Sequence, residues 1–288
     1  MQKRLYNKKG VRLMFFDTIK TEPIPERVFS LACLVADKGA IDEKTLENLF
    51  IPKELNTART SYFRPIFDTA KELNLIRYNE NQEVVFIGNK ESLSSLKSMR
   101  KYCNSLVFSG DFKSTNFYRI ISCFLESNDD WLVYGSITSS DEIIAKIHEQ
   151  TALPSTTLKK DVLLAIRFWI NFLGFGYFHE KNMVFLPNMY TALHDFIDLG
   201  SIENGVEYTI EKFFASIHDG ASVALTRSKT TLELNLAMSN ALRLMHDNRE
   251  IELVRRLDSE KVWNLFPNPE HVFVSEITHI VVKKAVNR

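Results

Sequence analysis

Residues 155–187 read STTLKKDVLLAIRFWINFLGFGYFHEKNMVFLP. Leu158, Val162, Leu163, Ile166, Trp169, Ile170 and Leu173 recur at the 3.6-residue spacing of a helix with one apolar face. Ser155 or Thr156 supplies a hydroxyl cap, and Gly174 releases the chain at the other end. The remaining thirteen residues, FGYFHEKNMVFLP, then read as a tight two-stranded ribbon.

The same order occurs twice more. Before it, RTSYFRPIFDTAKELN leads into LIRYNENQEVVFIG, within Thr57 to Gly88. After it, SKTTLELNLAMSNALRLMHDN from Ser228 leads into REIELVRRLDSEKVWNLFP. A helix followed by a β-hairpin is the end of a winged helix-turn-helix, so the chain reads as three such units in tandem. The expected class is mainly α with small β-hairpins, an α+β fold. Its divisions are a basic arm over 1–22, a first winged helix over 23–90, a linker helix over 91–112, a second over 113–200 and a winged-helix-like third over 201–288.

Flanking patterns complete each unit. Val28, Leu31, Ala32 and Val35 predict a first helix that ends at Gly39, and Asp42 caps a short second one that stops at Pro52. Phe63, Ile66, Phe67, Ala70 and Leu73 face the third helix inward, and Asn79 to Gln82 turn the wing. In the second unit, helices are expected over 115–126, 141–151 and 188–199, with a strand at WLVYG, 131–135. The third is expected to have helices over 207–217 and 229–246, and a half-buried alternating strand in HVFVSEITHIVVKK from His271.

With 288 residues, 45% of them hydrophobic, each unit has enough material for a core. No run approaches the ~20 apolar residues of a membrane span, and the first residues lack the apolar core of a secretory signal. A cytoplasmic protein without a membrane partner is expected. Lys plus Arg equals Asp plus Glu at 36 each, so no global field attracts nucleic acid and any contact is a local patch. The lopsided segment is the start, where Lys3, Arg4, Lys8, Lys9 and Arg12 stand without an acid.

Catalytic patterns are missing. The seven histidines have no zinc-ligand spacing, and neither a Gly-rich phosphate loop nor a GxSxG elbow occurs. Cys33, Cys103 and Cys123 sit in or beside apolar runs and read as packed thiols. Asp129/Asp130 and Asp141/Glu142 stand where caps and loops are expected. The sequence is therefore read as a non-enzyme with no cofactor, metal or small-molecule substrate.

Hydroxyl and basic residues gather at the start of each third helix, where a helix-turn-helix faces its groove and where the helix dipole favours an anion. The candidate nucleic-acid contacts are Arg59, Thr60, Tyr62 and Arg64 in the first unit, Thr156, Lys159 and Lys160 with Lys181 of the wing in the second, and Arg227 and Lys229 in the third. An acidic protein surface would satisfy the same groups.

FFDTIKTEPIPERVFSLACLVADKGAIDEKTLENLFIP from Phe15, together with RTSYFRPIFDTAKELNLI and HVFVSEITHIVV, resembles the DpdG family of bacterial accessory proteins from phage-defence and DNA-modification islands. Winged-helix subunits of SMC-based defence systems are a second likeness. The resemblance implies a non-catalytic component working with proteins of its own operon, an ATPase, an SMC-like subunit or a nuclease. The expected function is a DNA-binding scaffold of modest affinity for double-stranded DNA. The alternatives are a docking module that never touches DNA and a transcriptional regulator.

Overall fold

The computed structural model describes residues 14–15, 19–51, 62–128, 140–151, 153, 160–179 and 184–283. Its first helix, α1 (Pro25–Lys38), starts on a proline at a position that needs no amide and ends at Gly39, which has a φ of 77°. Val28, Leu31, Ala32 and Val35 are buried, as their spacing predicts. A short strand, β1 (Ala40–Ile41), precedes α2 (Glu43–Phe50), whose first turn is closed by Asp42 accepting from the Thr45 amide at 3.0 Å. Then come α3 (Phe63–Glu72), β2 (Ile76–Tyr78) and β3 (Val84–Phe86). The three strands form an antiparallel sheet in the order β1-β3-β2. Asn79 sets the hairpin turn, its side-chain oxygen accepting from the Asn81 and Glu83 amides at 2.9 Å.

The segments read as an arm and a linker helix both contribute buried residues among those described. The arm over 1–22 ends in core: Met14, Phe15 and Ile19 are buried, and Phe15 meets Phe112, Phe117 and Trp169 edge-on. The Met14 and Phe15 amides donate to the two carboxylate oxygens of buried Glu72 at 2.8 and 2.9 Å. Basic residues dominate the first twelve positions, but the apolar run that follows drives burial. The linker helix over 91–112 is α4 (Leu96–Val107), and it is packed against other elements. Met99, Cys103, Asn104 and Val107 are buried, and Tyr102 donates to the Leu73 carbonyl at 2.7 Å.

The second unit contains α5 (Asn116–Glu126), α6 (Ser140–Thr151), α7 (Lys160–Leu173), the ribbon β4 (Gly176–His179) and β5 (Val184–Pro187), and α8 (Tyr190–Leu199). WLVYG at 131–135 falls outside the described residues. The apolar stripe of α7 is buried, and Trp169 reaches into the first unit to donate to the Pro23 carbonyl at 2.8 Å. Gly176 opens the ribbon at a φ of 140°, where a Cβ would stand 2.5 Å from the Leu186 carbonyl oxygen. Gly176→Ala is therefore expected to destabilise the protein by more than about 1 kcal/mol, read as a lower urea midpoint. An unchanged midpoint would mean the ribbon shifts at no cost.

The seam between α4 and α8 is polar and buried. Arg100 makes a two-pronged contact with Asp195, Nε at 2.8 Å and Nη2 at 3.0 Å, and Asn104 donates to the same carboxylate at 2.8 Å and to the Leu173 carbonyl at 3.1 Å. Lys101 adds an outer pair with Asp198 at 3.1 Å.

The third unit departs from expectation in three ways. First, Glu207 to Thr209 form a strand, β6 (Glu207–Thr209), and Thr209 then caps α9 (Ile210–Ser216). Second, the helix expected over 229–246 is broken. A turn, α10 (Ser228–Thr231), ends at Leu232 with a φ of 58°, and Asn235 caps a separate helix, α11 (Leu236–Asp247), by accepting from the Met238 amide. A strong new cap three residues past a left-handed backbone outweighs continued apolar periodicity. Third, β7 (Ile251–Val254) pairs with β10 (His279–Val282), not with the residues just after it. Between them lies an insert holding the small ribbon β8 (Trp263–Asn264) and β9 (Glu276–Ile277). The main sheet has the order β6-β10-β7.

One apolar core runs through all three units, with Phe108 in ring contact with Phe117, Phe175 and Phe196. Cys103 and Cys123 are buried and Cys33 is half-buried, as their apolar settings predict. Among the described residues no helix is long and apolar enough to cross a membrane.

Candidate nucleic-acid interface

Five candidate contacts, Arg59, Thr60, Thr156, Lys159 and Lys181, lie outside the described residues. The other five are found in unlike settings. Tyr62 stands exposed just ahead of α3. Arg64, two residues on, is held from two sides: it bonds Glu43 of α2 at 3.0 Å and Asp68 of its own helix at 3.0 to 3.1 Å, and lies over the Phe67 ring at 5.4 Å. Tyr78 of β2 donates to the other Glu43 oxygen. Burial pulls the Arg64 pKa down, but Asp68 and Glu43 outweigh it and the net shift is upward. Burial, then Glu43, pushes Tyr78 up to about 12. Arg64 thus joins α2, α3 and the β2–β3 hairpin, and a phosphate would have to compete with two carboxylates for it.

Lys160 opens α7 and is exposed, with exposed Asp161 beside it. In the third unit the equivalence of the helix starts fails. Arg227 and Lys229 belong to α10 and its flank, while the start of α11 is capped from within by Asn235 and covered by Asn128, whose side chain accepts from the Leu236 amide at 2.9 Å. Ala237, Met238, Ser239, Ala241, Leu242, Arg243 and Met245 are buried, which leaves α11 one narrow exposed face at Asn240, Leu244 and Asp247. Even Arg243 turns inward, donating to the Phe273 and Val274 carbonyls at 3.0 and 2.7 Å. That exposed face carries no lysine or arginine. The break at Leu232 hides this from periodicity, which reads the same on both sides of it.

Arg227 and Lys229 each border a cavity. Lys229 lies at one lined by Phe214, Leu225 and Trp263, where Glu211 accepts from the Trp263 indole at 2.9 Å and pairs with Lys261 at 3.6 Å. Arg227 borders an open hollow between α5, the end of α6 and the loop before α10. Sequence reasoning missed that hollow. Arg119 is one exposed residue in a good amphipathic helix, and no spacing signals that Thr226 and Arg227 close over it.

Among the described residues no three His, Cys, Asp or Glu side chains gather to hold a metal ion. His246 and His271, distant in sequence, have ring centres 6.2 Å apart, and His271 pairs with Asp247 at 3.1 Å. No protein-family model, curated protein or solved structure matches this chain.

Proposed function

We propose that the protein is a non-catalytic subunit that contacts double-stranded DNA through tandem winged helix-turn-helix units and scaffolds a bacterial anti-phage defence or DNA-modification assembly. One observation carries the reading: the first unit has the order helix, strand, helix, helix, hairpin, with its sheet in the order β1-β3-β2. The second unit repeats the helix–helix–hairpin part in α6, α7 and the β4–β5 ribbon. The third unit supports a holding role, since its α11 is packed against α8 and α5 of the second. With equal numbers of acids and bases, contact is local and made to backbone phosphates.

Anisotropy of a labelled ~30-base-pair duplex, titrated at low and moderate salt, tests this. The duplex is expected to bind with a shallow salt dependence corresponding to a few phosphates, and Lys159→Glu with Lys160→Glu to weaken it about tenfold or more. Binding that ignores this double change sinks the DNA reading for the second unit. A docking-only reading has its own support: Arg64 is already doubly paired, and the third unit exposes Leu257 at 93% and Val272 at 83% on its insert. That reading gains if the duplex never binds while an operon neighbour co-purifies and is lost on Leu257→Asp.

A further inference from the structure

The stretch from His218 to Arg227 straps the third unit to the second. It folds as a 3-10 helix, Asp219–Ala224, packed on α4, α5 and α8. Ala221, Val223, Ala224 and Leu225 are buried in that seam. Polar contacts hold the strap along its length. Lys113 pairs with Asp219, Tyr118 meets the Ser222 hydroxyl at 3.4 Å, Ser122 meets that of Thr226 at 3.0 Å, and Asn235 donates to the Ala224 carbonyl at 2.8 Å.

His218 closes the start of the strap. Its backbone amide donates to the Phe196 carbonyl of α8 at 2.9 Å, and its ring lies on the Phe196 ring, with centres 6.0 Å apart and planes 12° from parallel. Its Nδ1 accepts from the Gly220 amide at 3.0 Å and so caps the 3-10 helix. The seat is tight: a Cβ on Gly220 would stand 2.5 Å from the Phe196 ring. A backbone N–H can only donate, so Nδ1 must offer a lone pair and the imidazole is neutral. A proton on Nδ1 would leave two donors facing each other. Ser, Thr or Asn in this place would cap at any physiological pH, whereas histidine caps only while uncharged.

Burial is the largest influence on the His218 pKa and lowers it; Asp219 raises it, Lys113 lowers it, and the net shift is downward. The other acids on the elements packed here are engaged elsewhere. Asp195 and Asp198 of α8 pair with Arg100 and Lys101 of α4, and Glu211 of α9 is held by Trp263 and Lys261. Glu126 of α5 stands by Thr226 and Arg227, at the far end of the strap.

We propose that His218 is an acid-sensitive latch: protonation opens the start of the strap and loosens the third unit where it docks on the second. A downward shift means that the fold favours the neutral ring. The latch is therefore whole above the free-histidine value of about 6.5 and is lost as pH falls through the lower folded value. This goes beyond the DNA contact proposed above and does not rest on it, because the groups involved all belong to the strap and its seat.

Hydrogen–deuterium exchange of the full-length protein at about pH 7.5 and about pH 5.5, either side of the free-histidine value, tests this once intrinsic exchange rates are divided out. Relative to α7, peptides covering 219–227 are expected to lose protection roughly fivefold at the lower pH, the equivalent of one lost cap. His218→Asn is the informative variant, since its side-chain oxygen caps in the same way but takes up no proton. Its strap should stay protected at both pH values. The proposal is overturned if strap protection in the wild type ignores pH, or if His218→Asn loses protection as the wild type does. Histidine C2-hydrogen exchange read by mass spectrometry needs no variant: in the wild type, titration of His218 at or above about 6.5 would also overturn it.

Discussion

Asp195→Ala is expected to lower the unfolding free energy by about 3–5 kcal/mol, because it strips one partner from a buried ion pair. The side chain of Asp195 is 4% exposed and that of Arg100 is 19% exposed, so the guanidinium left behind has little water to replace its carboxylate. Asn104 loses an acceptor in the same step. Against a total of about 5–15 kcal/mol for a folded domain, the change should show as a large drop in the urea midpoint followed by circular dichroism. The neighbouring pair gives the control. Lys101 and Asp198 are 37% and 25% exposed, and Asp198→Ala should cost no more than the ~1 kcal/mol of a solvated pair. Equal effects from the two variants would show that the α4–α8 seam is held by its apolar contacts and not by Asp195.

Phe15→Ala is expected to cost a similar amount, about 3–5 kcal/mol for a large aromatic removed from a filled core. The ring is fully buried and touches Phe112, Phe117 and Trp169, so the cavity would open where the first and second units meet. Neighbours cannot easily close it, because the Phe15 amide is fixed by Glu72 and the Trp169 indole by the Pro23 carbonyl. With Trp131 and Trp263 replaced by Phe, Trp169 fluorescence becomes a local reporter of this seam, and the variant should shift that transition at least as far as the global one. Near-wild-type stability would show that residues 14–15 rest on the core without being part of it.

Local elements were readable wherever one residue type decides the geometry. Asp42, Gly39 and Asn79 mark cap, stop and turn, and each acts as its chemistry requires. The spacing of Val162, Ile166, Trp169 and Leu173 gave the buried face of α7 for the same reason. What could not be read was pairing at a distance. Asp195 and Arg100 are each ordinary polar residues of amphipathic helices, and only the approach of α4 to α8 makes them a buried pair. The same holds for Arg64, read as a candidate nucleic-acid contact, which bonds Glu43 twenty-one positions away on another helix. At the candidate sites, composition could nominate cations but could not say which were already paired.

The sheet of the third unit has a kinetic consequence. β6 and β7 never pair with each other; both pair with β10, the last of the three along the chain. Neither outer strand has a ladder until the whole insert, residues 255–278, has looped back, so closure entropy precedes any gain from pairing and the sheet should be among the slower parts of the molecule to form. Once formed, the same topology protects it. A protease that cuts the insert leaves β10 held by ladders on both edges, and the two fragments should travel together through a sizing column until denaturant separates them.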